Sequence, residues 1–429
     1  MPELDLSTRP RIQQLIELYQ ATSRISDPLE LQREYAYRIR NLFQSQGYIS
    51  LSTRGLRPGE YRITRRWLNG QALDEWQDNW KRGHTLPVHT GGWLGQVIRS
   101  PGPKLYTHLD LRDDPVIGST LAGVGSAIAS PLFDGGEVLN WGIALFPEPD
   151  GIRPETIEDF LSRGNMIGGM VKGLVLKRQV EDLNRQLMAQ LEQIAQIQRS
   201  LLPDRAPTVD GVTIATSYLT SNEAGGDYYD FFPMRDGRLG VLIADVAGHG
   251  AGAATVMAML QTILHDFQDR ASGPASMLAH ANRQLLNKRI ENNFVTAFMG
   301  VVDRDRGVMT YANAGHNHPV RRLPSGLVVP ITGAGSLPLG VLEEAEYEQA
   351  ETPMQSGETV VMYTDGITEA FSPPPTREMF GEPRLIGAVH DCSGEPPCII
   401  DSIHSRLYDH TQSRSRVDDQ TIVAIKIEE

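Results

Sequence analysis

Apolar side chains return at helical intervals between residues 11 and 44, at Ile12, Leu15, Ile16, Leu18 and Tyr19 and again from Leu31 to Phe43. From about 48 to 147 the pattern changes to short apolar runs cut by glycine and proline. Ser126 to Leu132 and Val138 to Phe146 flank Asp134-Gly135-Gly136, which predicts two strands joined by a tight turn. Thr156 to Leu176 reads as helix again. This helix–sheet–helix segment, residues 10–175, is expected to form a first domain.

The next stretch is the most regular in the chain. Leu176, Val180, Leu183, Leu187, Ile194, Ile197 and Leu201 fill seven of eight successive a and d positions of a heptad, with Gln190 at the eighth. Glu, Gln, Arg and Lys occupy much of the rest. An amphipathic helix packed on its own domain would need no such strict 4-3 spacing. The pattern therefore predicts a dimeric coiled-coil linker over 176–202, ended by Pro203 and Pro207. Three to four heptads are marginal alone, so flanking domains must support it.

From 203 to 429 the order of elements differs. Val212 to Leu219, Tyr228 to Met234 and Leu239 to Asp245 read as strands, and Ala251 to Asp269 and Ala275 to Arg289 as consecutive helices. Phe294 to Asp303 and Val308 to Ala314 form a hairpin across Arg304-Asp305-Arg306-Gly307. Two more strands, near 358–364 and 421–427, flank a helical region. Runs of strands and then runs of helices, without β-α-β alternation, predict an α+β sandwich rather than a doubly wound parallel sheet.

Composition narrows the function. The chain has 429 residues, enough for two or three cores, and its 40% hydrophobic and 22% charged content is that of a soluble globular protein. A net charge of −13 argues against a general nucleic-acid binder. The start, Met1-Pro2-Glu3-Leu4-Asp5, has no secretory-signal pattern, and the most apolar stretch, Met166 to Leu176, is too short to span a bilayer. Cys392 and Cys398 show no zinc spacing and are expected as free thiols in a reducing cytoplasm.

Aspartates at strand ends carry the chemistry. Asp245 ends Val241-Leu242-Ile243-Ala244-Asp245, Asp365 ends Val360-Val361-Met362-Tyr363-Thr364-Asp365, Asp227 precedes Tyr228 to Phe232, and Asp418-Asp419 precede Thr421 to Ile427. Turn or cap residues would be the bland explanation for any one of them. Buried and unpaired, such carboxylates are costly, so several converging from distant segments point to hard divalent ions such as Mg²⁺ or Mn²⁺.

Six segments, in order, carry a resemblance: Gly225-Gly226-Asp227-Tyr228-Tyr229-Asp230, Asp-Val-Ala-Gly-His-Gly (245–250), Asn-Ala-Gly-His-Asn-His-Pro (313–319), Leu-Pro-Leu-Gly (337–340), Tyr-Thr-Asp-Gly-Ile-Thr-Glu-Ala (363–370) and Asp418-Asp419-Gln420-Thr421. Together they resemble the SpoIIE/RsbU branch of the PPM (PP2C-like) serine/threonine phosphatases over about 195–429. The resemblance implies an α-β-β-α sandwich with two Mn²⁺ or Mg²⁺ ions and hydrolysis of phosphoserine or phosphothreonine by a metal-activated water. It implies ligation by Asp227, Asp245, the Val246 carbonyl, Asp365 and either Asp418 or Asp419, the first preferred, with catalysis depending most on Asp245 and Asp365.

Asp230 is expected to play a structural or supporting part. His249 is open between a proton donor and a loop cap, His316 and His318 lean to structural roles, and Glu369 to a solvated helix position. Eukaryotic relatives carry a phosphate-gripping arginine; none precedes Asp227, where Asn222 and Glu223 stand.

Residues 10–175 resemble a GAF sensor by layout, with Gly91 to Val97 and Ser126 to Leu132 as matching pieces. The sensor ligand or partner is unknown. Trp67, Trp76, Trp80 and Trp93 are expected as ordinary core and surface aromatics. The resemblance further implies a phosphorylated anti-sigma-factor antagonist of the STAS type as substrate. Two other classes stand beside the enzyme: a catalytically silent pseudophosphatase acting as a signalling adaptor, and another two-metal hydrolase such as a phosphodiesterase, whose centres usually recruit several histidines.

Overall fold

Strand β10 (Leu239–Val246) shows why the second half of the chain is layered. Its apolar run leaves no polar face, so both faces must be covered. Val241 and Ile243 join one core, and Leu242 and Ala244 join another, following the period-2 alternation of a strand. The computed structural model describes residues 9–43, 45–73, 83–100, 102–150, 152–221, 224–234, 236–288 and 293–428. The chain divides into two units, Met1–Asn184 and Arg185–Glu429.

In the first unit, α1 (Pro10–Ser23) and α2 (Pro28–Phe43) precede an antiparallel sheet. Its strands are β1 (Gly47–Ser52), β2 (Glu60–Leu68), β3 (Gln71–Ala72), β4 (Val88–Thr90), β5 (Lys104–Tyr106), β6 (Ser126–Asp134) and β7 (Glu137–Phe146). They run in the order β3-β2-β1-β7-β6-β5, with β4 on β2. The β6–β7 hairpin turns at Gly135 and Gly136, both at positive φ (63° and 88°), where glycine is unstrained.

One face of this sheet packs Ile49, Leu51, Tyr61, Trp141 and Ile143 against Trp93, Leu94 and Val97 of α3 (Gly92–Val97). On the other, Ile128, Ala144 and Phe146 meet Phe160 of α4 (Pro154–Leu201). Trp67 and Trp93 are buried, as an ordinary core requires; Trp76 and Trp80 lie outside the described residues.

Helix α4 is continuous for 48 residues and runs through the expected linker without a break. Leu176, Val180, Leu183, Leu187 and Ile197 on its heptad seam are all exposed. Ala195 and Gln198, off that seam, are buried.

The second unit stacks two five-stranded antiparallel sheets. One runs β15 (Ala350–Pro353), β12 (Val308–Ala314), β11 (Val295–Asp303), β10, β9 (Asp227–Pro233); the other runs β14 (Val328–Pro330), β13 (Val320–Arg322), β16 (Thr359–Tyr363), β17 (Gln420–Ile427), β8 (Val212–Leu219). Phe231, Val241, Ile243, Phe298 and Met309 of the first face Val360, Met362, Val423 and Ile425 of the second. Outside the first sheet lie α5 (Ala251–Asp266) and α6 (Pro274–Asn287), through Met257, Leu260 and Leu278. The one-turn α7 (Asp365–Thr368) follows β16, and α8 (Gly381–His390) and α9 (Pro396–Thr411) cover the second sheet through Leu385, Ile399 and Ile403. This is the α-β-β-α arrangement expected from the sequence.

Cys392 and Cys398 correct the expectation of free thiols. The corner between α8 and α9 brings their Cα atoms to 6.3 Å, inside disulfide reach, and the two are joined. Among the described residues no helix is long and apolar enough to cross a membrane.

Candidate metal centre

The two sheets finish at a common end, and the acidic residues gather there. In the β9–β10 ladder Asp227 stands opposite Asp245, and on the other side of β10 Thr296 stands opposite Asp245. From the second sheet, Thr364 leads out of β16 into Asp365, and Asp418-Asp419 lead into β17. A buried carboxylate ties the sheets together: Asp227 Oδ2 accepts from Thr364 Oγ1 at 2.8 Å and from Thr421 Oγ1 at 2.5 Å. Thr364 Oγ1 in turn accepts from the Thr421 N–H at 3.0 Å.

The adjacent aspartates at 418 and 419 have different surroundings. Asp419 is buried, and its oxygens accept from the Ser221 N–H (2.8 Å), the Ser221 hydroxyl (3.2 Å) and the Gly226 N–H (2.7 Å). Asp418 is exposed and accepts only from the Asp419 N–H, at 2.9 Å, among the bonds described. Glycine makes this crowding possible. A Cβ at Gly225 would stand 2.2 Å from Asp419 Oδ2, and one at Gly366 would stand 1.9 Å from the Asp419 carbonyl oxygen.

Gly226 opens a small cradle in the same way. A Cβ there would sit 2.7 Å from the Val246 carbonyl oxygen and 3.4 Å from Asp245 Oδ1, so both oxygens face one space left empty by glycine. The charges around it oppose one another. Burial pushes the Asp245 carboxyl up to about 7, with the Asp365, Asp418 and Asp419 charges adding to the shift. Burial and then the Asp418 and Glu369 charges push Asp365 up to about 6. Asp227 is raised well above the usual range by burial and by Asp245.

Among the described residues no three His, Cys, Asp or Glu side chains are closed around a single point as a metal ion would require. The donors of the cleft are nonetheless all oxygens, carboxylates plus one backbone carbonyl. Their mutual repulsion is of the kind a hard divalent cation relieves, so the residues present fit Mg²⁺ or Mn²⁺.

The histidines fall outside this cluster. His316 is buried beneath it. Its Nε2–H donates to the Tyr363 carbonyl (3.2 Å) and its Nδ1 accepts from the Thr296 hydroxyl (2.9 Å), joining the two sheets. Burial lowers its pKa to about 4, below the 6.5 of an exposed histidine. The unfolded chain therefore binds a proton that the folded chain refuses. Stability present above pH 6.5 should fall by roughly 3 kcal/mol as pH drops to 4. Urea unfolding across that range should show a smaller acid loss in His316→Gln than in the wild type; equal losses would refute it.

His249 and His318 are exposed. Asp230 faces α5, accepting from His265 Nε2 at 2.6 Å and from the Tyr228 hydroxyl, consistent with a supporting part. Glu369 is exposed but close enough to raise Asp365. Asn222 and Glu223 lie outside the described residues. The sequence alone gives the hydroxyls of Thr364 and Thr421 no role, although Thr364 adjoins Asp365 and Thr421 follows Asp419 by two residues.

Residues 235–428 match the family model of stage II sporulation protein E (SpoIIE). Protein IcfG of Synechocystis sp. is 28% identical over 283 residues, covering 59% of this chain and 44% of IcfG. Phosphoserine phosphatase RsbU of Bacillus subtilis is 25% identical over 244 residues, covering 57% of this chain and 72% of RsbU. The chain thus spans less than half the length of IcfG. Among solved structures, the SiaA-PP2C domain of Pseudomonas aeruginosa superposes with a TM-score of 0.50 at 21% identity, over 58% of this chain and 98% of that domain, a likeness of fold. The second unit is a SpoIIE-type, PP2C-like phosphatase domain, homologous to the RsbU and RsbP serine phosphatases of bacterial signalling.

Proposed function

We propose that the second unit hydrolyses phosphoserine or phosphothreonine on a regulatory protein with the aid of two divalent ions, Mn²⁺ or Mg²⁺. Asp227, Asp245, the Val246 carbonyl, Asp365 and Asp418 would hold them. The observation that carries this reading is the meeting of carboxylates from β9, β10, α7 and the lead into β17 at one end of the sandwich, where burial and like charge raise Asp227, Asp245 and Asp365 together. Metal dependence of the homologous PP2C phosphatases supports it. Asp418 is preferred to Asp419 because the latter's oxygens already bind the backbone at 221 and 226.

When bound, such ions activate a water and offset charge on the phosphoryl oxygens. The chain's own residues prepare the site. Thr364 and Thr421 fix one oxygen of Asp227, so its other oxygen keeps a set direction. Asp419 holds Ser221 and Gly226 against the start of β17. Gly226 leaves the Asp245 carboxylate and the Val246 carbonyl together in one space.

The substrate in this reading is a phosphorylated STAS-type anti-sigma-factor antagonist, and the first unit is a GAF-like sensor that controls its turnover. The exposed seam of Leu176, Val180, Leu183, Leu187 and Ile197 favours pairing of α4 with a second copy, since five exposed apolar side chains on one stripe are otherwise unfavourable in water.

The full-length chain should release phosphate from a phosphoserine STAS-type protein in Mn²⁺ and not in EDTA, leave a cyclic dinucleotide intact, and sediment as a dimer. Release undiminished by EDTA would overturn the two-ion reading. Bound Mn²⁺ without release would favour the adaptor, and a monomer would refute the pairing.

A further inference from the structure

One buried polar side chain of α4 has no place in the ligand set. Gln198 is 3% exposed, and its amide meets both backbone groups of Gly225: Nε2–H donates to the Gly225 carbonyl at 2.7 Å, and Oε1 accepts from the Gly225 N–H at 3.0 Å. Nε2 also lies 3.3 Å from the Tyr218 hydroxyl. A side-chain amide offers a donor and an acceptor side by side, which matches a peptide unit. Gly225 lies two residues before β9 begins, so no ladder partner serves its N–H and carbonyl, and loss of Gln198 would leave both buried without a partner.

The next peptide reaches the centre directly. The Gly226 N–H donates to Asp419 Oδ2 at 2.7 Å, the Gly226 carbonyl accepts from the Val246 N–H at 3.3 Å, and Asp227 follows. A Cβ at position 225 would fall 2.2 Å from Asp419 Oδ2 and would have to displace that carboxylate. A shift of Gly225 by a fraction of an ångström therefore moves Asp227, Asp419 and Val246 relative to one another.

The helix end has an apolar seat of its own, Ala195 against Ala224 and Ala254. That contact can hold α4 in place without the amide. What Gln198 adds is the register of the 225–226 backbone.

We infer that Gln198 is a positioning residue of the metal centre, whose amide clamps the Gly225–Gly226 backbone and thereby sets the affinity of the site for divalent cations. The inference rests on the two-ion reading and adds to it a residue of the linker helix. Supporting groups behind metal ligands typically change metal affinity by about 10- to 100-fold when removed.

The test is calorimetric titration of the full-length chain with Mn²⁺, beside the Mn²⁺ dependence of phosphate release. Gln198→Met, similar in size but unable to serve Gly225, should bind Mn²⁺ about tenfold more weakly or worse. Its half-saturating Mn²⁺ in the assay should rise in step, with turnover at saturating Mn²⁺ within about threefold of wild type. Gln196→Met, at an exposed position of the same helix, should match the wild type.

Should Gln198→Met fail to fold, Gln198→Glu takes its place. It keeps the acceptor for the Gly225 N–H, loses the donor, and adds a negative charge, so it is compared with Gln196→Glu on the same helix, and Mn²⁺ binding no weaker than in that control counts as unchanged. Unchanged Mn²⁺ affinity in a folded variant overturns the inference alone. A wild-type chain that binds no Mn²⁺ overturns the two-ion reading and the inference with it.

Discussion

Replacing Asp245 with asparagine is expected to cut phosphate release from a phosphoserine protein by on the order of 10³-fold while leaving the fold intact. Asp245 stands between the two sheets' contributions, opposite Asp227 in the ladder and within electrostatic reach of Asp365, Asp418 and Asp419. An amide of the same shape retains the packing but removes the charge that a divalent ion would meet. The same substitution relieves repulsion. In EDTA at pH 8, Asp245→Asn should therefore melt no lower than the wild type, and higher if the crowded carboxylates are ionised there. Loss of activity with a stable fold separates a chemical role from a structural one. A variant that keeps more than about a tenth of wild-type activity would remove Asp245 from the centre, given the scale of loss expected for such groups.

Gly366→Ala should have the largest effect on folding. Its Cβ would fall 1.9 Å from the Asp419 carbonyl oxygen and 3.3 Å from the Asp418 carbonyl carbon, both backbone atoms at the lead into β17. Neither can rotate away as a side-chain end could. Separating them would pull α7 from β17, where Gln420 Nε2 donates to the Gly366 carbonyl at 3.2 Å. A cost of about 3 kcal/mol or more follows, at the upper end of what overpacking does. Chemical denaturation measures it, with Gly335→Ala as a control, because a Cβ there meets nothing within 4 Å. Similar stability for the two variants would show that the close approach of α7 to β17 is wrong.

Much of the second unit could be read from local pattern. Strand β8 occupies Val212–Leu219, the span its apolar run predicts, and α5 begins at Ala251 as expected. Runs apolar on both faces, such as Val241 to Ala244, already required a layer on each side. The short strands β13, β14 and β15 were not legible, since three or four residues carry too little pattern. Helix α4 looked like two elements because the glycines at 164, 168, 169 and 173 dilute its first half, yet it is continuous.

The acidic positions were legible because each stands at the end of an apolar run. What holds them was not. Thr421 reaches Asp227 across 194 residues, and Gln198 reaches Gly225 from a helix whose heptad seam drew attention to Ile197 instead. Contacts of that range depend on how elements pack, which no local window contains. The Cys392–Cys398 link was missed for the related reason that a helix corner decides whether two nearby thiols face each other.

The most direct measurement is a Mn²⁺ titration of the full-length chain and of Asp245→Asn by calorimetry in metal-free buffer. A two-ion centre requires two Mn²⁺ bound per wild-type chain and loss of at least one in the variant. A wild-type chain that binds no Mn²⁺, or a variant that binds as the wild type does, would contradict it.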